Sequence, residues 1–194
     1  MDATTQKIID DLLVAAQHHD AGQADRLDRW RVLEPEAGRL LWFLAQALSA
    51  RNIVEIGTSR GVSTLWLADA ARSTGGHVLT FDLNRGAQDS ARDSVRAAGL
   101  AEQVTFRRAD GGAALADLAD GSVDLLFLDA ERVEYPSWWP HPVRVLRSGG
   151  LLVADNATSH PEEIAPLRAL VEAEPGMATI TVGVGKGELL ALRR

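Results

Sequence analysis

Residues 52–67, NIVEIGTSRGVSTLWL, decide how the rest of the chain is read. Ile53, Val54 and Ile56 are apolar and β-prone, Gly57 breaks the run, and Val62 to Leu67 resumes with helical spacing. The stretch therefore predicts a buried strand, a glycine turn and a helix. Gly57 and Gly61 would let the backbone approach a ligand that a Cβ repels. A helix opening near Ser59, with Ser63 in its first turn, would offer that ligand unpaired N–H groups. The spacing is G-x-x-x-G, not the G-x-G-x-x-G of a dinucleotide site, and Glu55 stands two residues before the first glycine. A carboxylate there would repel a pyrophosphate but accept a ligand bearing an ammonium and a sulfonium, the charges of S-adenosylmethionine. An ordinary strand-to-helix turn of an α/β protein is the alternative reading of the motif alone.

Composition narrows the field. The 194 residues are 46% hydrophobic and 24% charged, enough for one well-buried domain over 1–194 and short for two. A net charge of −7 leaves no basic stripe for phosphates, which argues for a small substrate and against nucleic acid. The absence of cysteine excludes a disulfide framework, zinc-thiolate chemistry and a thiol nucleophile. The start, MDATTQKIIDD, has no basic leader region, and no apolar run approaches a membrane span, so a cytoplasmic protein with no membrane partner is expected.

Outward from the motif, strands and helices alternate. Ile8, Ile9, Leu12, Leu13 and Ala16 share one helical face, with Thr4 or Thr5 as candidate caps. Asp20 to Arg31 reads as a polar connector. A second helix opens at Glu34-Pro35, and its apolar stripe completes a helical segment, 1–50, that packs on the sheet. Strands are predicted at 77–81, 104–108, 123–128 and 150–154, with a helix over 87–98. Residues 178–182 and 188–192, joined by the glycine-rich VGVGKG, predict an antiparallel hairpin. The fold class is thus α/β: a doubly wound, mostly parallel, Rossmann-like sheet whose ligands lie beyond the carboxyl ends of the strands.

Four acids land on that rim. Asp82 lies 25 residues after Gly57, near the spacing at which an acid binds ribose hydroxyls. Asp110-Gly111 could take an adenine amine, the glycine clearing the ring. A helix N-cap is the plainer reading of either aspartate. If the strands ending at Asp129 and Asp155 are neighbours, their ends lie about 4.8 Å apart, and with Asn156 they converge three oxygens. Oxygen ligands suit Mg²⁺, Mn²⁺ or Ca²⁺ and not zinc.

VEIGTSRGVSTLWLA, the acid after TFD, LFLDAERVEY, RSGGLLVADN and VGVGKGELLALRR together resemble the class I S-adenosylmethionine-dependent O-methyltransferases, in their metal-dependent catechol and caffeoyl-coenzyme-A branch. The resemblance runs from about Glu34 onward. It implies a seven-stranded sheet, a methionine-binding turn at Glu55, Gly57, Ser59, Gly61 and Ser63, ribose at Asp82, adenine at Asp110 and Gly111, and metal at Asp129, Asp155 and Asn156. The implied reaction methylates a hydroxyl of a small molecule, such as a vicinal dihydroxy compound chelated to Mg²⁺. Where the family carries a lysine that helps deprotonate the acceptor, this chain has Arg132, which cannot act as a base and can only act on charge. Arg132 could instead pair on a helix surface with Glu131 or Glu134. His160 is the other candidate catalyst, or a histidine at a helix start ahead of Pro161. Trp138 and Trp139 could wall an aromatic acceptor, or be divided between the core and a neighbouring subunit, so a homodimer stays open. Three readings compete with catalysis on a small hydroxyl: a non-catalytic S-adenosylmethionine-binding protein, a tRNA nucleoside methyltransferase and an NAD-dependent oxidoreductase. The metal trio argues against the first, the acidic balance against the second, and Glu55 with the missing third glycine against the third.

Overall fold

The computed structural model describes residues 1–25 and 28–194; residues 26 and 27 of the polar connector lie outside the described residues. Apolar, β-branched runs form the strands β1 (Asn52–Ile56), β2 (His77–Asp82), β3 (Val104–Arg108), β4 (Val123–Leu128), β5 (Leu146–Ala154), β6 (Met177–Val182) and β7 (Glu188–Arg193). They make one sheet in the order β3-β2-β1-β4-β5-β7-β6. The first five are parallel, and β7 is antiparallel to both β5 and β6, as the hairpin signal predicts. The chain runs outward from β1 through β2 to β3, then returns to β4 on the other side of β1. This reversal opens a crevice between the carboxyl ends of β1 and β4.

Helices cover both faces. On one lie α1 (Ala3–Ala21), α2 (Pro35–Ala47) and α3 (Val62–Thr74), whose apolar residues share a core with Ile53, Leu125, Phe127 and Val153. The N-terminal helices thus share the core of the sheet, with α2 seated on α3 so closely that a β-carbon at Gly38 would lie 2.2 Å from the Trp66 ring nitrogen. α4 (Arg85–Ala97), α5 (Gly111–Asp117), α6 (His141–Arg144) and α7 (Pro161–Ala173) complete the layers, and a 3₁₀ stretch spans Arg132–Trp138. The second core joins Val54, Ile56, Leu126, Leu128 and Leu152 to Tyr135, Trp138 and Leu167. Among the described residues no helix is long and apolar enough to cross a membrane.

Local details depart from expectation. α1 is capped by Asp2, whose carboxylate accepts from the Thr5 amide, and not by Thr4 or Thr5. α3 does not open near Ser59 but at Val62, with Gly61 in the left-handed region at φ 84°; Ser59 lies earlier, at φ 44°. β5 starts at Leu146 and not at Gly150, because the bend at Gly149 (φ 73°) is absorbed as a register shift against β4.

Candidate active site

The backbone ladder continues one step past β1 and β4. Gly57 donates to the Phe81 carbonyl at 2.9 Å, Asp129 to Ile56 at 2.9 Å and Asp155 to Leu128 at 3.1 Å. Parallel pairing of Leu128 with Ala154 therefore sets Asp129 and Asp155 side by side at the crevice. Beside them opens a cavity of about 480 Å³ that extends past Gly57 to Asp82 and Asp110.

The expected residues divide into wall and foundation. Gly57, Ser59, Asp82, Asp110, Gly111, Asp129, Arg132, Asn156 and His160 all line the cavity. Asp82 accepts from the Ser59 amide at 2.8 Å and the Asn84 amide at 2.7 Å, so one carboxylate fixes both banks of the turn. Asp110 caps α5 by accepting from Ala113 at 3.0 Å. Glu55, Gly61, Ser63 and Asp155 do not reach the cavity wall. At Gly61, φ 84°, a β-carbon would also come within 2.8 Å of the Ala91 side chain on α4, so packing alone requires glycine there.

Glu55 stands back from the cavity. It is wholly buried under the turn, where its Oε2 accepts from the hydroxyls of Thr64 and Thr80, each at 2.6 Å. Thr80 is bonded in turn to Thr58, and Gln88 donates to Thr58, so a buried polar chain joins α4 to β1. Burial raises the Glu55 pKa to about 7, against the lowering by Ser63, Thr64 and Thr80. Its charge is therefore partly quenched at neutral pH, and its other oxygen has no partner.

The acid pair is likewise desolvated. Burial first, then the Asp155 charge, lifts Asp129 well above the usual carboxylate range, while Lys186 draws it down. Burial raises Asp155 too, although the Asn156 amide donates to it at 2.5 Å. Glu188, wholly buried on β7, lies close to Asp155, and burial and then the Asp155 charge raise its pKa to about 10. Among the described residues no three His, Cys, Asp or Glu side chains are arranged to hold a metal, so the expected trio depends on the Asn156 oxygen. That oxygen accepts from Ser159 at 3.2 Å while the amide nitrogen donates to Asp155 at 2.5 Å. Two carboxylates and an amide oxygen suit a hard divalent cation in donor chemistry.

Arg132 is not on a helix surface and pairs with neither Glu131 nor Glu134. It is 5% exposed, and its Nη2 lies 2.7 Å from the Glu163 carboxylate on α7. Glu131 pairs with Arg31 instead, at 2.9 Å. His160 precedes α7 as the helix-start reading has it, with Nδ1 2.9 Å from the Ser159 hydroxyl. Trp138 is buried against Tyr135 and the α-carbons of Gly111 and Gly112, at the Asp110 end of the cavity; Trp139 packs at the edge of the second core.

Four site residues have little sequence signal. Trp30 accepts at its carbonyl from Ser59 Oγ at 3.0 Å and carries the Arg60 guanidinium over its ring at 4.2 Å, so the polar connector folds over the glycine turn. Glu34, Lys186 and Glu188 gather around Asp155; the one clue is an acid opening the apolar strand ELLALR.

The model of a family described as O-methyltransferase matches residues 5–189. A catechol O-methyltransferase of Mycobacterium tuberculosis is 32% identical over 145 residues, covering 75% of this chain and 64% of that protein. The structure of an O-methyltransferase from Bacillus cereus in complex with SAH superposes with a TM-score of 0.81 at 25% identity, over 100% of this chain and 92% of that one. The cofactor-bound structure of Rv0187 from MTB gives 0.76 at 30% identity, over 94% and 89%.

Proposed function

The chain belongs to the O-methyltransferase family, and from that premise we propose that it methylates a hydroxyl of a small aromatic molecule with S-adenosylmethionine as donor. The observation that carries this reading is the cavity itself. It runs from Asp82 and Asp110 past the glycine turn to Asp129 and Asn156, which would set a nucleoside at one end and an acceptor at the other. The sulfonium methyl supplies the electrophile, and the protein's work is positioning and charge.

Each part of that work falls to named residues. Asp82 would take the ribose hydroxyls. Trp138, which packs against Gly111 and Gly112, would flank the adenine. The Gly57 turn, strapped by Trp30, would hold the methionine end. Asp129, Asp155 and Asn156 would hold Mg²⁺, Mn²⁺ or Ca²⁺, which would add Lewis-acid charge for two adjacent acceptor oxygens; this favours a vicinal dihydroxy, catechol-like acceptor. Tyr135 steadies that end, since its hydroxyl accepts from the Ala130 amide at 2.8 Å and donates to the Ala130 carbonyl at 3.1 Å.

Calorimetry and a methyl-transfer assay test the reading together. S-adenosylmethionine should bind and NAD should not, and labelled methyl should pass to members of a catechol panel in Mg²⁺ but not in excess chelator. Tighter binding of NAD would overturn the cofactor assignment; full turnover in chelator would overturn the metal.

A further inference from the structure

A positive charge beside the acceptor oxygen is what the sequence asks of Arg132, and the fold commits that guanidinium to Glu163. A different cation enters the cavity. Lys186 belongs to the turn between β6 and β7, and its carbonyl accepts from the Thr158 amide at 3.0 Å, the Ser159 amide at 3.0 Å and the Thr158 hydroxyl at 2.6 Å. The Gly187 carbonyl accepts from the Ala157 amide at 2.7 Å. The turn is thereby tied to the segment that directly follows Asp155 and Asn156. Gly187, at φ 91°, lets it approach so far that a β-carbon would lie 2.3 Å from the Thr158 hydroxyl.

Lys186 lines the cavity together with Asp129, Asn156 and His160, and its Nζ lies 2.5 Å from Glu34 Oε1. An ammonium has three N–H donors, so the Glu34 pair leaves two for a ligand. We propose that Lys186 holds the ionised oxygen of the acceptor in place for methyl transfer, which selects acceptors with an acidic, phenol-type hydroxyl; the proposal rests on the methyl-transfer reading above. In the step itself the acceptor hydroxyl gives its proton to water, the freed oxygen pair forms the new C–O bond, and the C–S pair stays on sulfur.

Lys186 does not take the proton. Burial works against its charge, but the hydrogen bond and charge of Glu34, followed by Asp155 and Asp129, outweigh burial and hold its pKa above the ordinary value. The charged groups that act on it are Glu34 at the start of α2, Asp155 after β5 and Asp129 after β4, and His160 before α7 shares its cavity wall. Arg132 is turned to Glu163. A bound phenol facing this ammonium should ionise more easily, since an opposite charge within about 4 to 6 Å lowers a pKa by roughly 1 to 3 units.

A nitro-substituted catechol reports this directly, because its phenolate absorbs visible light. It should be titrated bound to the full chain with S-adenosylhomocysteine, with Mg²⁺ in excess throughout. Lys186→Met should raise the apparent pKa of the bound probe by about 1 unit or more, and Lys186→Arg should restore most of the shift. Affinity for S-adenosylhomocysteine should stay within about twofold, which shows that the variant is folded. If the methionine variant does not fold, Lys186→Gln makes the same comparison. Variants that titrate the probe as the wild type does would overturn the Lys186 assignment and leave methyl transfer standing. A wild type that binds neither S-adenosylhomocysteine nor the probe would overturn the methyl-transfer reading, and this proposal with it.

Discussion

A β-carbon at Gly57 would lie 2.1 Å from the carbonyl oxygen of Asp129, so the first glycine of the turn is held against the end of β4 by backbone alone. At φ 107° the residue is also in a region that L side chains rarely adopt. Gly57→Ala should therefore displace Asp129 as well as the turn. Its urea midpoint should fall by an amount equal to at least about 2 kcal/mol, with loss of S-adenosylhomocysteine binding. A stable variant that still binds would separate the turn from the acid pair.

Glu55 makes stability depend on pH in an unusual direction. Its pKa rises on folding from 4.5 to about 7, so its favourable contribution is complete below about 4.5 and is lost as pH climbs through 7. Glu55→Gln keeps an acceptor for Thr64 and Thr80 without that loss. The variant should gain on the wild type between pH 4.5 and 7, by up to about 3 kcal/mol, and then hold a constant lead. Denaturation curves across that range check it; a pH-independent difference would mean that Glu55 is not protonated on folding.

Arg132 should behave as a clamp between the 3₁₀ stretch and α7. Because Glu163 is 33% exposed, solvent weakens the pair relative to a fully buried one, and Arg132→Ala should cost about 1 to 3 kcal/mol. The apparent pKa of the acceptor should not move. A shifted pH-rate profile with unchanged stability would return Arg132 to the chemistry.

Asp82 is asked both to shape the turn and to meet the ribose. Asp82→Ala removes its bonds to the Ser59 and Asn84 amides along with the ligand bond. Charged hydrogen bonds are worth about 1.5 to 3 kcal/mol, so affinity for S-adenosylhomocysteine should fall by at least about tenfold. Wild-type affinity in calorimetry would remove Asp82 from the cofactor site.

The order of the seven strands, the hairpin at the end and the row of acids that follows the strands were legible in the sequence, because they rest on local signals, whereas the short helices α5 and α6 were not. Period 2 against 3.6, a glycine after an apolar run and an acid at a strand end depend on neighbours within a few residues. Parallel pairing then places Asp129 beside Asp155 whatever else the chain does. Charge was legible only as residue type. Glu55 reads as a ligand for a cation, yet it lies wholly buried under three hydroxyl-bearing residues because the strand turns it toward α3 and not toward the cavity. Arg132 reads as the cation of the site, yet its partner stands 31 residues away on a helix that only packing brings near. Lys186 carries no signal beyond a glycine-rich turn, and the bonds from Thr158 and Ser159 that bring it to the cavity exist only once β7 has paired with β5. Which carboxylates lose their water, and which cation stands opposite them, are properties of long-range contacts, and the tertiary structure alone decides them.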